Sequence, residues 1–298
     1  MKLTHKLFSF LLLVSFVGFS QIETQPTILS HQSITFIQNN GQWHDNVNYR
    51  APLGTGSVYL EDNVFTYSQL DAGDIDVAHS HSGEADHDHA NDMIDGHAWR
   101  TTFVGANTSP ELIGSDKRTE YHNYFIGNDK SKWASNVPLF DQITYTELYN
   151  GIDMHVYSSD GIFKYDFIVD AGANPSVIKM TYTGLDNIEI RNGNLVSATS
   201  IGEYVEKAPY AYQLIDGVQT KVLCNFTLVG NTVQFEFPEG YNEALPLVID
   251  PELKLDLNKK IFNENSNTII VNTHVNKVSN NLTYLKLKSE NIILNLLN

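Results

Sequence analysis

The stretch Met154–Val169, MHVYSSDGIFKYDFIV, decides the fold class. Its second half alternates without a break. Phe163, Tyr165, Phe167 and Val169 fall on one side of an extended chain, with Lys164 and Asp166 on the other. A period of two with one apolar side is the mark of a half-buried strand in an antiparallel sheet. Between the halves stands Asp160-Gly161, a dipeptide that tolerates the positive φ angles a two-residue hairpin turn requires. The stretch reads as a β-hairpin.

The same pattern recurs along the chain. IEIRNGNLVS turns at Asn192-Gly193, YAYQLIDGVQTKV at Asp216-Gly217, and CNFTLVGNTVQFEF at Gly230-Asn231. No window of helical length shows a clean 3.6-residue period in this body. Consecutive hairpins with almost no helix predict an all-β protein, an antiparallel β-sandwich in one large or two stacked units. The predicted sandwich spans residues 34–251, and a subdivision near residue 171 fits the pattern.

The ends differ from the body. Lys2 and Lys6 precede an uncharged run, Leu7–Phe19, and small residues Gly18 and Ser20 stand before Gln21. That three-part pattern predicts a secretory signal peptide over residues 1–20, followed by a linker over 21–33. The run is shorter than the ~20 residues of a comfortable membrane span, and no later run reaches that length. The predicted mature chain is secreted, or lies at the cell surface, with no membrane span. Cys224 stands alone, so no internal disulfide forms and stability must come from burial. Its place in VLCNFTL puts it on one strand face with Val222, Phe226 and Leu228, as a small buried hydrophobe. At the other end, residues 252–298 hold eleven asparagines, no glycine and no proline, and six lysines against four acids. The tail reads as an atypical segment with no matching partner in the body, of the composition a truncated or frameshifted gene would give.

A net charge of −16 argues against nucleic acid and anionic membranes as partners. Ten acids and no Lys or Arg lie between Arg50 and Arg100. Within that segment, Leu70–Asp95 reads as a long polar loop. It contains HSHSGEADHDH, where His79, His81, His87 and His89 form two His-x-His pairs of the kind that ligate zinc or another divalent cation. A specific site needs fixed geometry and outer support, which a Ser/Gly/Ala/Asp loop lacks, so a solvated acidic loop is the preferred reading. The calcium-loop spacing is absent. So are the G-x-S-x-G, H-E-x-x-H and P-loop motifs. Asp153 and Asp166 are a candidate carboxylate pair across the first hairpin, since two carboxylates can run glycoside hydrolysis; solvated strand faces explain them more simply. Trp43, Trp99, Trp133, Tyr145, Tyr149, Tyr157, Tyr210 and Tyr212 are candidates for a carbohydrate- or partner-binding face, with filling of the core as the simpler alternative.

One ordered series of motifs ties the body together: FIQNNGQW (36–43), HAWRTTFVGAN (97–107), ELIGSDKR (111–118), YHNYFIGND (121–129), the long run from Lys132 to Gly161, then KYDFIVDAGANPSVIKMTYTG (164–184), PYAYQLIDG (209–217) and PLVIDP (246–251). Together they resemble an uncharacterised N-terminal β-rich domain of large secreted bacterial proteins. In those proteins the domain commonly precedes β-propeller-type repeats or PKD modules, and many end in a gliding-motility or type IX secretion sorting domain. The resemblance implies an extracellular location, neighbouring repeat domains or cell-surface components as partners, and no catalytic residues. The expected function is a non-catalytic structural or adhesion module. Polysaccharide binding or degradation is the first alternative, and metal sequestration by the histidine loop the second.

Overall fold

The computed structural model describes residues 33–75 and 93–251, with the strand segments Leu253–Lys254 and Leu285–Lys288. The predicted signal peptide, nearly all of the linker and most of the tail lie outside these residues. The strands are β1 (Phe36–Gln38), β2 (Tyr49–Leu53), β3 (Gly56–Leu60), β4 (Val64–Leu70), β5 (Met93–Phe103), β6 (Glu111–Tyr124) and β7 (Ala134–Tyr149). Next come β8 (Ile152–Ser159), β9 (Ile162–Val169), β10 (Met180–Thr183), β11 (Asn187–Arg191), β12 (Asn194–Thr199) and β13 (Gly202–Glu206). The series ends with β14 (Tyr210–Ile215), β15 (Val218–Val222), β16 (Asn225–Val229), β17 (Thr232–Glu236), β18 (Leu247–Asp250), β19 (Leu253–Lys254) and β20 (Leu285–Lys288).

The four predicted hairpins all form, each with a two-residue loop. At Asp160-Gly161, Asn192-Gly193 and Asp216-Gly217 both φ angles are positive, the signature of the turn whose twist matches the flanking strands. The chain is an all-β sandwich. One large antiparallel sheet runs β15-β14-β18-β9-β8-β7-β1-β2-β3-β4-β5-β10-β17-β16, with β6 on the second edge of β7, and β20 against β5. The strands on either side of residue 171 therefore share one sheet.

This sheet folds over on itself at β7, where β8 and then β1 take successive stretches of the same edge. Strands far apart in sheet order meet face to face. Phe65 on β4 packs its ring 5.9 Å from Phe163 and 6.1 Å from Tyr165 on β9, and Phe103 on β5 lies 6.1 Å from Phe167. The two outermost strands confirm the closure, because β15 ends at Val222 and β16 begins at Asn225. Three residue steps span at most about 11 Å, close to the ~10 Å between packed sheets. Cys224 sits buried in that crossing, and burial pushes its thiol up to about 12.

A second sheet, β11-β12-β13-β19, packs against the interior of the first. Tyr204 on β13 lies 4.5 Å from the Trp99 ring on β5. Glu206, two residues on, is fully enclosed and accepts hydrogen bonds from Tyr165 (2.7 Å) and Tyr182 (2.8 Å), on β9 and β10. Two tail segments do find partners in the body: Leu253–Lys254 pairs with β13, and Leu285–Lys288 with Met93–Gly96 at the start of β5. Both add to strand edges left free by the body. This also explains why β5 starts four residues ahead of the HAWRTTFV run.

Candidate functional site

The alternation that buries Phe163, Tyr165 and Phe167 puts Lys164 and Asp166 on the outer face of the sheet. Tyr157 joins them there as the cross-strand partner of Lys164. On the other side of β9, Ile249 of β18 pairs with Phe167, so the next residues out, Asp250 and Asp166, stand side by side. Tyr210 is the partner of Asp250 on β14, and Tyr212 pairs with Lys221 on β15. Two hairpins, β8–β9 and β14–β15, with β18 between them, thus assemble one continuous outer face.

Its centre is a pair of carboxyl groups. The Tyr157 hydroxyl donates to Asp166 Oδ2 at 3.0 Å, and the Lys164 ammonium donates to Asp250 Oδ2 at 3.0 Å while lying 2.9 Å from Oδ1. Asp166 Oδ1 is buried and, among the described residues, takes no hydrogen bond from any donor side chain or backbone amide, and the Asp250 carboxyl lies within hydrogen-bonding reach of the Asp166 carboxyl. A carboxylate beside a second carboxylate is disfavoured in its ionised form. Burial first, and the Asp250 charge second, push the Asp166 carboxyl up to about 7, against the opposing pull of Tyr157 and Lys164. In its protonated form the Asp166 carboxyl can donate to the neighbouring Asp250 carboxylate. Burial and the same two acids also raise Tyr157 and Tyr212, so both phenols stay neutral.

Aromatic rings flank the pair. Tyr210 and Tyr212 lie 5.8 Å apart, and Tyr210 is 37% exposed. Lys164 lies 5.8 Å from the Tyr157 ring centre and Lys221 5.9 Å from that of Tyr210. Gln219 donates to the Tyr210 hydroxyl at 3.2 Å. Chemically, this face can stack the apolar side of a sugar ring on tyrosine while acids, lysine and phenols exchange hydrogen bonds with hydroxyls. Carboxyl groups in mutual contact leave no room between them for a glycosidic bond, whose hydrolysis needs about 5 Å or more.

The candidates from sequence sort as follows. Asp153 does not face Asp166: it lies opposite Ile168 and accepts the Glu147 amide at 2.7 Å. Asp166 is paired on β8 with His155, two residues from Asp153, and its acidic neighbour is Asp250 across the other edge of β9. Trp43, Trp99, Tyr145 and Tyr149 are core residues. Tyr157, Tyr210 and Tyr212 belong to the outer face, and Trp133 lies on a separate hairpin tip beside Phe125. His79, His81, His87 and His89 lie outside the described residues. The stems of their segment are described, and they are clamped together: Asp71 donates its amide to the Asp95 carbonyl at 2.7 Å, and the Asp95 amide donates to Asp74 Oδ2 at 2.8 Å. Among the described residues no group of three or more His, Cys, Asp or Glu side chains could hold a metal, and no helix is long and apolar enough to cross a membrane.

Comparison with known families places this architecture. A family model described as a domain of unknown function, DUF7948, matches residues 36–252. The chain belongs to that family. The DUF7948 match begins at the first residue of β1 and ends just past β18, so it takes in the whole large sheet except β20, including both strands that carry the acid pair. No curated protein and no solved structure matches the chain.

Proposed function

We propose that the DUF7948 domain is a non-catalytic adhesion module of an exported protein, and that it holds polysaccharide on the outer face formed by β8, β9, β18 and β14. The observation that carries this reading is the pairing of the Tyr157, Tyr210 and Tyr212 rings with a self-bonded acid pair on an open sheet face. Neutral sugar chains suit a surface of this kind: rings for stacking, hydrogen-bonding groups of both polarities, and little net charge once a proton is shared. An apolar neighbour on the same side of β14, Leu214, at 59% exposure, extends the contact surface toward the β14–β15 turn. Export rests on the basic, apolar and small-residue pattern of the first twenty residues. Attachment to propeller-type repeats, PKD modules or a type IX sorting domain rests on the motif series alone.

Depletion from solution by insoluble polysaccharides, with a glycan array in parallel, tests the proposal. The wild-type chain is expected to bind at least one neutral glycan, and Tyr210→Ala with Tyr212→Ala to abolish that binding without changing the melting temperature by more than a few degrees. Binding that survives the double substitution would remove the face from consideration.

A further inference from the structure

A second feature lies apart from the tyrosine face and does not depend on that reading. The loop joining β1 to β2 borders a groove of about 360 Å3 against the start of β6, lined by Gln38, Asn39, Asp45, Asn48, Tyr49 and Leu112. The loop is held rigidly from within. Asn39 Nδ2 donates to the carbonyls of His44 (2.9 Å) and Val47 (2.8 Å), and its Oδ1 accepts the amides of Gly41 (3.0 Å) and Trp43 (3.2 Å). Gln42 adds a bond to the Gln38 carbonyl at 2.7 Å and accepts the Asn40 amide at 2.6 Å. Beneath, Trp43 is buried against Tyr124 at 5.5 Å, with the Arg50 guanidinium 5.7 Å from its ring. The groove is therefore formed before any ligand arrives, which removes the ordering cost of binding.

The groups facing the groove divide into spent and unspent. Asn39 has used its hydrogen-bonding capacity, and Asn48 Nδ2 donates to Asp62 at 2.8 Å. The Gln38 side-chain amide, the Asp45 carboxylate and Asn48 Oδ1 remain, making no hydrogen bond among the described residues. They offer one donor group and two strong acceptors around an apolar edge of Leu112 and Tyr49. No cation lines the groove, so a phosphate or carboxylate ligand meets only the repulsion of Asp45. A single carboxylate falls short of the six to eight oxygens calcium takes. Adjacent hydroxyls, each both donor and acceptor, match what is left. The volume falls at the small end of ligand pockets, roughly 300–1,000 Å3.

We infer that this groove is a second, independent binding site, which takes one neutral pyranose unit. The test is a two-dimensional amide spectrum of the full chain titrated separately with glucose, galactose, mannose and N-acetylglucosamine at millimolar concentrations. At least one sugar should give saturable shifts at Gln38, Asn39, Asp45 and Asn48. Asp45→Ala, at an exposed position, should weaken that binding about tenfold, the loss of a hydrogen bond to a charged group. Gln38→Ala serves as a second variant with the same expected direction, and Tyr210→Ala should leave the titration unchanged. The inference fails if none of the four sugars gives saturable shifts there, if the shifts persist in Asp45→Ala and Gln38→Ala, or if calcium chloride or inorganic phosphate alone reproduces them.

Discussion

Replacing Tyr182 by Phe removes one hydroxyl from the sandwich interior and little else. That hydroxyl is 2.8 Å from Glu206 Oε1, with Tyr165 on Oε2 at 2.7 Å. Burial raises the Glu206 carboxyl above its ordinary value, and the two phenols pull it back down. A raised carboxyl pKa means the fold favours the protonated form. The stability tied to it is thus complete below the ordinary carboxylate range and declines as pH rises through the folded value. When Glu206 is protonated, the lost bond is neutral and should cost about 0.5–1.5 kcal/mol; when it is ionised, the bond is charge-assisted and should cost about 1.5–3 kcal/mol. The penalty of Tyr182→Phe should therefore be about 1 kcal/mol at acidic pH, where Glu206 holds its proton, and about 2 kcal/mol in alkali, once it is ionised. Urea unfolding at both pH values measures it, with tryptophan fluorescence as the probe, since Trp99 lies against Tyr204 of the same sheet as Glu206. A pH-independent penalty, or one below about 0.5 kcal/mol in alkali, would refute the claim that this carboxylate joins β13 to both halves of the large sheet.

Four further outcomes follow from the structure. Asp250→Asn removes the second-largest cause of the Asp166 shift, so carboxyl-carbon NMR should show Asp166 titrating well below about 7; an unchanged titration would mean that the two acids do not share a proton. In the wild type, the raised Asp166 value should make stability fall as pH climbs toward 7, and this slope should flatten in Asp166→Asn. His97 bridges the Gly184 carbonyl (2.6 Å) and Ser200 (3.0 Å), and burial lowers its pKa, so its contribution is present above about 6.5 and lost as pH falls below; His97→Gln should reduce that acid-side loss, read by thermal unfolding between pH 7 and pH 5. Gln69 is 1% exposed, and neither of its amide atoms is bonded among the described residues, so Gln69→Leu should raise stability by about 1–2 kcal/mol; a loss in urea unfolding would show that the amide has a partner.

Local structure was legible in the sequence because it depends on neighbours. Alternation in IFKYDFIV sorted buried from exposed residues at every position from Phe163 to Val169, and the Asp-Gly and Asn-Gly pairs marked the hairpin turns. Contacts across the sheet were not legible. Asp166 falls on the polar face, yet its acidic neighbour Asp250 belongs to a strand 84 residues further on, while Asp153, nearer in the chain, lies two residues from the position opposite it. Sorting tyrosines failed for the same reason: Tyr145 and Tyr157 both stand in alternating runs, and only the partner strands decide that the first points inward. Glu206 did leave a signal. In GEYVE it shares a face with Tyr204, and a carboxylate on an aromatic face announces a buried network.

The position of β18 has a consequence for how the chain folds. Leu247–Asp250 enters between β9 and β14, and the Lys164–Asp250 bond closes a loop of 86 residues. Until that strand is available, β9 and β14 have no shared neighbour, and one half of the sandwich stays open along its middle. Closure of so long a loop, in a topology dominated by distant pairings, places folding in the millisecond-to-second range rather than the microsecond range. The large sheet is therefore complete only once almost the entire 36–252 segment is available. Chains ending before Leu247 should remain unfolded and open to proteolysis, whereas those that include Asp250 should lock in a single cooperative step.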